Sequence, residues 1–482
     1  MNTIHVPLPP ELWLDISSYL ERLDHLSLVQ VNRRFNQIFI PALYSDIIIK
    51  GPDYYIMDGH PVFLDSPDAA SRFFLAGRTR GLLERLQKDA ELRQCVRQCK
   101  ISTFRAPFRD MTPSEAGQAP YVVFETLVED IFQLVATLPS LERVKIHLSE
   151  IPAQCFFMLC QLPDIDITTS AVTMYGKVDL SEFTSFKVGR LVFETSNVRP
   201  AIPSIVEMTL SGSLRELSLN TESRGVLKKL FTEHMQRSTP SLPLLEVLEI
   251  GWIDAQYFDF FRATPNLLEL RLKGITRLQL GTSTLSSDLL PRLRRFSGHH
   301  SLLPCFVRGR PVMSITTRDT TGTPHPDFWA YDDNITLSPL GMNFGSSTPV
   351  LKLVWVDCTR NRELLQYLVD RNPGILHLDV TPTVPYTKVL LSERLDIVEQ
   401  LKQLRELYIR SLQHVPSTDS LLWEKETCER LRRKGSAMLT SVSFSTLIDW
   451  TRKVDSELWT PSGEGLPVYR MYMAKLQPIA SH

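Results

Sequence analysis

A short pattern of apolar residues, Pro-x-Φ-x-x-Φ-x-Φ with Φ apolar, recurs along most of the sequence. Copies that begin with proline start at Pro139, Pro203, Pro243, Pro265, Pro291, Pro349 and Pro373. Copies without the proline have their first apolar residue at Val96, Val188, Leu214, Leu404 and Leu439. Where copies are adjacent they lie about 22 to 29 residues apart, and the larger gaps are near twice that, as expected for a repeating supersecondary unit of which some copies have decayed. A chain of 482 residues is also too long for one compact core, so we expect repeats or several domains.

Each copy of the pattern predicts one β-strand, and the segments between copies predict helices. The last two apolar residues flank a polar one, as in Leu270-Arg271-Leu272, and this alternation is typical of a strand with one buried face. Helix-compatible segments occupy residues 224–236, 255–263, 363–371 and 392–401. The predicted fold class is therefore α/β with a parallel sheet. Because the pattern is loose, chance copies in another kind of α/β protein are the competing explanation.

The first fifty residues depart from this pattern and predict three short helices. The first opens at Pro9 and Pro10, where a missing N–H costs nothing. The second has Asp24 near its start, and the third begins at Asn32, a good N-cap residue, and is expected to end at Pro41. Roughly 40 residues bury too little surface to fold alone, so we expect either an exposed apolar face for a protein partner or packing on the rest of the chain.

This segment resembles the F-box family. The resemblance rests on Leu8-Pro9 followed by Glu11, on Ile16, Leu20, Asp24 and Leu26, on Val31-Asn32-Arg33-Arg34-Phe35, and on Leu43-Tyr44. Two positions depart from the family pattern, because Glu21 stands where proline is often found and Tyr44 replaces the closing tryptophan. Tyrosine keeps a flat amphipathic ring, so the second change is mild.

The resemblance implies an adaptor-binding surface and an internal core. The residues that it implies for contact with a Skp-family adaptor, and through it a cullin, are Leu8, Pro9, Ile16, Leu20, Leu26 and Tyr44. It places Leu12, Phe35 and Phe39 in the core of the helical module.

The remainder of the chain resembles an irregular leucine-rich-repeat solenoid, because a strand plus a helix in about 25 residues is the unit of that family. The asparagine typical of regular repeats is mostly absent, which leaves the curvature undefined. The predicted organisation is an F-box at 1–50, a linker with a helix at 51–94, the repeats at 95–450 with an irregular loop at 316–349, and a C-terminal tail or cap at 451–482.

Polar residues that point outward from the predicted strands are candidates for binding a partner, although a merely solvated face has the same composition. The candidates are Glu216, Glu249, Trp252, Arg271, Lys273 and Asp379. The loop at 316–349 is a second candidate, since it is rich in Thr, Asp, Gly and Pro and carries four aromatic residues.

The sequence offers no motif for catalysis or for a cofactor. A phosphate-binding glycine loop, a nucleophile elbow and a zinc-protease helix are all absent from it. The His299-His300 pair has no ligands at metal spacing, and the seven cysteines form no CxxC pair, so we expect no metal site and buried reduced thiols. No cofactor and no catalytic residue are predicted.

The charge pattern and the N-terminus predict location and partner class. The net charge is −1 and the basic residues are scattered, so neither nucleic acid nor a membrane surface is an expected partner. The most apolar stretch, Tyr121 to Leu138, contains three acidic residues and predicts no membrane span. The N-terminus lacks the features of a secretory signal, so we expect a cytoplasmic or nuclear protein.

With the resemblance, these features predict a non-catalytic, substrate-recognition subunit of an SCF-type (Skp-cullin-F-box) ubiquitin ligase. The F-box would bind the adaptor, and the repeat region would bind a protein substrate. The alternative is an F-box scaffold or interaction protein that acts outside a ligase.

Overall fold

The structure is a computed structural model. It describes residues 10–51 except 18, 77–103, 118–178 except 177, 186–194, 202–209, 212–220, 224–236, 242–273 except 252, 285–299 except 287, 302–317, 346–356, 362–381, 388–411, 418–445, and 448–463 except 454, 455 and 457. The chain divides into two compact units, Met1–Leu245 and Glu246–His482. It is a mixed α/β protein whose strands pair mainly in parallel, which confirms the predicted fold class.

The first unit begins with helices α1 Pro10–Ser17, α2 Arg22–Val29 and α3 Arg33–Ser45. The Asn32 side chain accepts a hydrogen bond from the Phe35 N–H at 3.0 Å and caps α3, as predicted. The Asp24 carboxylate accepts one from the Glu21 N–H at 3.0 Å as part of a capping box at α2. Both helix starts are therefore fixed by nearby side chains.

The prediction that the third helix ends at Pro41 is wrong, because α3 continues to Ser45. A proline inside a helix costs roughly 3 kcal/mol relative to alanine. The turn just before it buries Ile38 and Phe39, and the helix leads directly into strand β1, Asp46–Lys50. Packing of that turn against the other helices offsets the local cost.

Phe39 is the centre of the helical module, with none of its surface exposed. Its ring centroid lies 5.8 Å from that of His25 on α2 and 6.2 Å from that of Trp13 on α1. The ring centroid of Phe35 lies 5.8 Å from that of Phe39, and Phe35 is half-buried. Leu12 was predicted as core, but it is 46% exposed. Trp13 takes the inward position instead, and neighbouring helix residues point about 100° apart, so Leu12 faces elsewhere.

The first unit continues with alternating helices and strands. The helices are α4 Gly77–Lys88, α5 Ala90–Cys95, α6 Gln118–Ala136, α7 Ala153–Leu159, α8 Ile202–Thr209 and α9 Arg224–Met235. The strands are β2 Gln98–Ser102, β3 Arg143–His147, β4 Glu150–Pro152, β5 Asp166–Ser170, β6 Thr173–Tyr175, β7 Arg190–Glu194 and β8 Glu216–Asn220. Strands β1, β2, β3, β5, β7 and β8 pair in parallel in that order, and β4 pairs with β6.

Inward residues of neighbouring strands lie in register and form a buried row. The row contains Ile47, Cys99, Val144, Ile167, Leu191 and Leu217. The copies of the pattern at Val96, Pro139, Val188 and Leu214 therefore correspond to strands, as predicted. The row starts in β1, so the sheet begins within the residues assigned to the F-box.

The pattern misplaced one copy in this unit and missed four strands, β1, β4, β5 and β6. The copy that starts at Pro203 is helix α8, because Ile205 and Met208 are three residues apart and also suit one face of a helix. Strand β5 was missed because its second inward residue is Thr169, which is not apolar. Strand β1 was missed because it directly follows a helix.

The second unit contains strands β9 Val247–Ile250, β10 Glu269–Leu272, β11 Arg295–Gly298, β12 Ser314–Thr317, β13 Lys352–Val356, β14 His377–Thr381, β15 Glu406–Ser411, β16 Ser441–Ser445, β17 Asp449–Thr451 and β18 Thr460–Ser462. Its helices are α10 Leu303–Phe306, α11 Arg362–Arg371, α12 Lys388–Val398 and α13 Thr418–Arg430, with a 3-10 helix at Ala255–Ala263 and a π turn at Leu431–Gly435. Strands β9 to β16 pair in parallel in chain order. Strands β17 and β18 add antiparallel pairs after β16.

Most copies in this unit lie on strands as predicted, with two differences. At β13 the buried residues are Val350, two residues before the strand, and Leu353 within it, each one residue earlier than the pattern that starts at Pro349 requires. Thr316 and Thr317 were assigned to an irregular loop but belong to β12, where threonine fits a pleated strand well. Residues 318–345, with the aromatic residues of that loop, lie outside the described residues.

Candidate functional site

The predicted adaptor-binding residues differ in their exposure. Leu8 and Pro9 lie outside the described residues. Ile16 and Leu26 are exposed, whereas Leu20 is half-buried. Tyr44 is also half-buried, and its hydroxyl accepts a hydrogen bond from Arg85 Nη1 of α4 at 3.1 Å. The assignment of these six residues to an adaptor surface stays a prediction.

Exposed apolar side chains concentrate on the N-terminal helices. Six of the twelve large apolar side chains that are exposed among the described residues lie between positions 12 and 31. This N-terminal apolar set consists of Leu12, Ile16, Tyr19, Leu23, Leu26 and Val31. Leu12 and Ile16 are four residues apart on α1, and Leu23 and Leu26 are three apart on α2, so each pair shares one helix face. Exposed apolar residues grouped in this way are typical of a protein-binding surface.

Sequence reasoning assigned only Ile16 and Leu26 of this set to a binding surface; it placed Leu12 in the core and missed Tyr19, Leu23 and Val31. The signal for Leu23 was its spacing of three residues from Leu26 along the same helix. No such signal marks Val31, because it lies in the turn between α2 and α3.

A second candidate surface is the polar face of the sheet in the first unit. Strands β3, β5, β7 and β8 are neighbours in this sheet, and the first residues of these four strands form a continuous chain of ion pairs. Asp166 lies 3.0 Å from Arg143 and 3.0 Å from Arg190, and Arg190 lies 2.7 Å from Glu216. Burial alone would lower the pKa of Arg190, but hydrogen bonds and charge from Glu216 and Asp166 raise it above its ordinary value. Glu216, a predicted partner-binding residue, is thus occupied by an internal ion pair.

The second unit repeats this arrangement on β9, β10 and β11. Glu249 contacts Arg271 at 3.3 Å and Lys273 at 2.5 Å. Glu269 contacts Arg271 at 2.5 Å and Arg295 at 2.8 Å. Three further predicted binding residues, Glu249, Arg271 and Lys273, are therefore engaged in ion pairs with one another.

The remaining strand-face candidates lie elsewhere. Trp252 is outside the described residues, and Asp379 is half-buried on β14. Next to Asp379, His377 Nδ1 lies 2.6 Å from Glu406 Oε2, and the His377 and Tyr408 rings are 5.2 Å apart. Sequence analysis missed this cluster, although each member occupies an outward position of a predicted strand.

Potential metal ligands do not cluster among the described residues. No group of three or more His, Cys, Asp and Glu side chains that could hold a metal ion is found among them. His299 is half-buried, and His300 lies outside the described part of the chain. Within the same residues, no helix is both long and apolar enough to cross a membrane.

Five of the six cysteines in the described part of the chain are buried. Cys99, Cys155, Cys160, Cys305 and Cys428 are buried and form no disulfide, whereas Cys95 is half-buried. Cys358 lies outside the described residues. Burial raises the pKa of the Cys99, Cys160 and Cys428 thiols well above the ordinary value, and of Cys95 more modestly with help from Asp89 and Glu91.

We expect Cys95 to be alkylated before the five buried cysteines when the native protein is treated with iodoacetamide at pH 8. Its rate should still be below that of a free thiol, because its raised pKa leaves less thiolate. Mass spectrometry of tryptic peptides over time measures this order. Simultaneous labelling of Cys95 and Cys99 would contradict it.

Comparison with known proteins adds one finding to this geometry. The F-box-like family model matches residues 7–50. This match supports an F-box protein. It covers helices α1 to α3 and strand β1. F-box-like domains generally bind Skp-type adaptors and are typically non-catalytic, so the domain suggests a role in protein–protein interaction. No curated protein matches the chain.

Proposed function

We propose that this chain is a substrate-recognition subunit of an SCF-type ubiquitin ligase, located in the cytoplasm or the nucleus. The observation that carries the proposal is that the F-box-like match and the N-terminal apolar set fall in the same segment. The segment that resembles a family of binding domains is therefore also the one that exposes apolar side chains. The adaptor would bind there and connect the chain to a cullin. The chain itself would supply no catalytic residue.

The proposal takes the rest of the chain as an irregular leucine-rich-repeat solenoid that holds a protein substrate. Two features support the solenoid. The parallel strands follow one another in chain order within each unit, and their buried residues form in-register rows. A scaffold of this kind displays outward strand residues as a continuous binding surface. Holding the substrate and the adaptor on one chain replaces a bimolecular encounter with an intramolecular one and so raises the effective concentration.

The double variant Ile16→Asp/Leu26→Asp is expected to weaken adaptor binding at least about 100-fold, since buried interface anchors often contribute 2 kcal/mol or more each. Both side chains are exposed in the chain alone, so the fold should tolerate the change. Biolayer interferometry with an immobilised Skp-family adaptor measures the dissociation constant. The control is Leu244→Asp, an exposed leucine of the first unit outside the F-box-like match, and this variant should bind as the wild type does.

A pull-down of the full chain with adaptor and cullin separates the ligase from its alternative. Recovery of both proteins supports the ligase subunit. Recovery of the adaptor without the cullin would favour a scaffold that acts outside a ligase. Equal adaptor binding by the wild type and by Ile16→Asp/Leu26→Asp would contradict the proposed surface.

A further inference from the structure

A row of three outward side chains crosses the first strands of the sheet in the first unit. Ile48 of β1 is in register with Lys100 of β2, and Lys100 is in register with Lys145 of β3. All three are exposed, and the residues that alternate with them, such as Ile47, Cys99 and Val144, are buried. We call Ile48, Lys100 and Lys145 the lysine row.

The two lysines differ from the neighbouring arginines of this sheet. Arg143 is held by Asp166, Arg190 by Asp166 and Glu216, and Arg97 by Glu142 at 3.1 Å. Lys100 and Lys145, in contrast, form no ion pair or hydrogen bond with their side chains within the part of the chain that the structure describes. Within the described residues, no carboxylate therefore contacts and neutralises these two lysines.

The placement of Lys100 and Lys145 is unfavourable for the isolated chain. Like charges directly opposite each other on neighbouring strands destabilise a sheet. The next residue in the row, Thr168 of β5, is neutral and does not relieve the repulsion. A negatively charged partner that contacts both ammonium groups would turn this repulsion into attraction.

We propose that the lysine row binds an anionic peptide segment of a partner protein, with an apolar side chain on Ile48 and clustered negative charge on Lys100 and Lys145. Neighbouring strands lie about 4.8 Å apart, so the row spans about 10 Å, and a segment of three or four extended residues covers it. The negative charge comes either from carboxylates or from a phosphorylated side chain. The segment would belong to the recruited protein, and in this respect the inference rests on the proposed function.

The test is fluorescence anisotropy with the full chain and three labelled peptides of one length. The first carries a leucine followed by three glutamates, the second a leucine followed by one phosphoserine, and the third a leucine followed by three glutamines. The glutamate peptide, the phosphoserine peptide or both should bind, and the glutamine peptide should bind at least about tenfold more weakly. Binding should weaken between 50 and 200 mM salt, because exposed ionic contacts are screened. The tighter of the two anionic peptides identifies the source of the charge.

The variant Lys100→Glu/Lys145→Glu should lower the affinity for the anionic peptides about tenfold or more, since two attractions become repulsions. The control Lys88→Glu/Lys229→Glu changes the net charge equally at exposed helix positions of the same unit and should bind as the wild type does. Equal loss in both variants, or no binding of either anionic peptide by the wild type, would overturn the proposal. Neither measurement involves the adaptor, so its outcome is independent of the ligase assignment.

Discussion

Replacing Arg310 with methionine is expected to lower the free energy of unfolding of the second unit by about 4 kcal/mol or more. The Arg310 side chain is 1% exposed, and its guanidinium donates five hydrogen bonds to backbone carbonyls. The accepting residues are Leu285, Ser286, Leu289, Cys305 and Arg308. Methionine fills similar space but donates none of these five hydrogen bonds.

Arg310 holds its charge without a carboxylate partner among the described residues. Burial lowers the pKa of its guanidinium to about 10, so the group is still protonated at neutral pH. Carbonyl dipoles on two chain segments therefore stabilise the charge, and the guanidinium ties residues 285–289 to the segment that contains α10. The planar fork of arginine can reach acceptors on both segments, which the point charge of lysine cannot do.

Hydrogen exchange measured by mass spectrometry tests this role, because it reports local opening free energies. Peptides that cover residues 285–289 and 303–317 should lose protection in Arg310→Met and partly in Arg310→Lys. Arg308→Met is the matched control, since that side chain is exposed two residues away, and protection should be unchanged. Normal protection in Arg310→Met would show that the five hydrogen bonds contribute little.

Replacing Phe39 with alanine is expected to unfold the N-terminal helices, because a core phenylalanine contributes about 3–5 kcal/mol and a module this small retains no more than that. Phe39 is fully buried and contacts side chains on α1 and α2. Its removal would leave a cavity where the three helices meet. Adaptor binding should be lost although every member of the N-terminal apolar set is unchanged.

The control Phe39→Leu keeps most of the buried volume and should cost about 1 kcal/mol, with adaptor binding retained. Hydrogen exchange in residues 22–45 and the adaptor dissociation constant should change together across the two variants. Full adaptor binding by Phe39→Ala, with exchange in the helices increased, would contradict the requirement for a folded module. Arg310→Met, in the second unit, should leave adaptor binding intact.

Elements with a strong local signal were predictable from the sequence. The cap at Asn32 was recognisable because its hydrogen bond joins residues three apart. Strands such as β10 were recognisable because Leu270 and Leu272 alternate with a polar residue. Pro203 began a false copy because a spacing of three apolar residues suits both a helix and the repeat.

The binding surfaces could be predicted only in part. The apolar character of the N-terminal helices follows from their residues, but the exchange of Leu12 for Trp13 in the core depends on how the three helices pack. Outward polar positions on the strands also follow from alternation. Which of them are neutralised depends on register, since Arg190 meets Asp166 only through the pairing of β5 with β7.

The sequence by itself determined the α/β class, the helical N-terminal module and most of the strands, because these follow from contacts between residues close in the chain. The tertiary structure alone decided which charges are paired and which, like Lys100 and Lys145, are left unpaired in the described part of the sheet. Residues that face each other there are more than forty positions apart. Their contact is set by strand register, which no local pattern specifies.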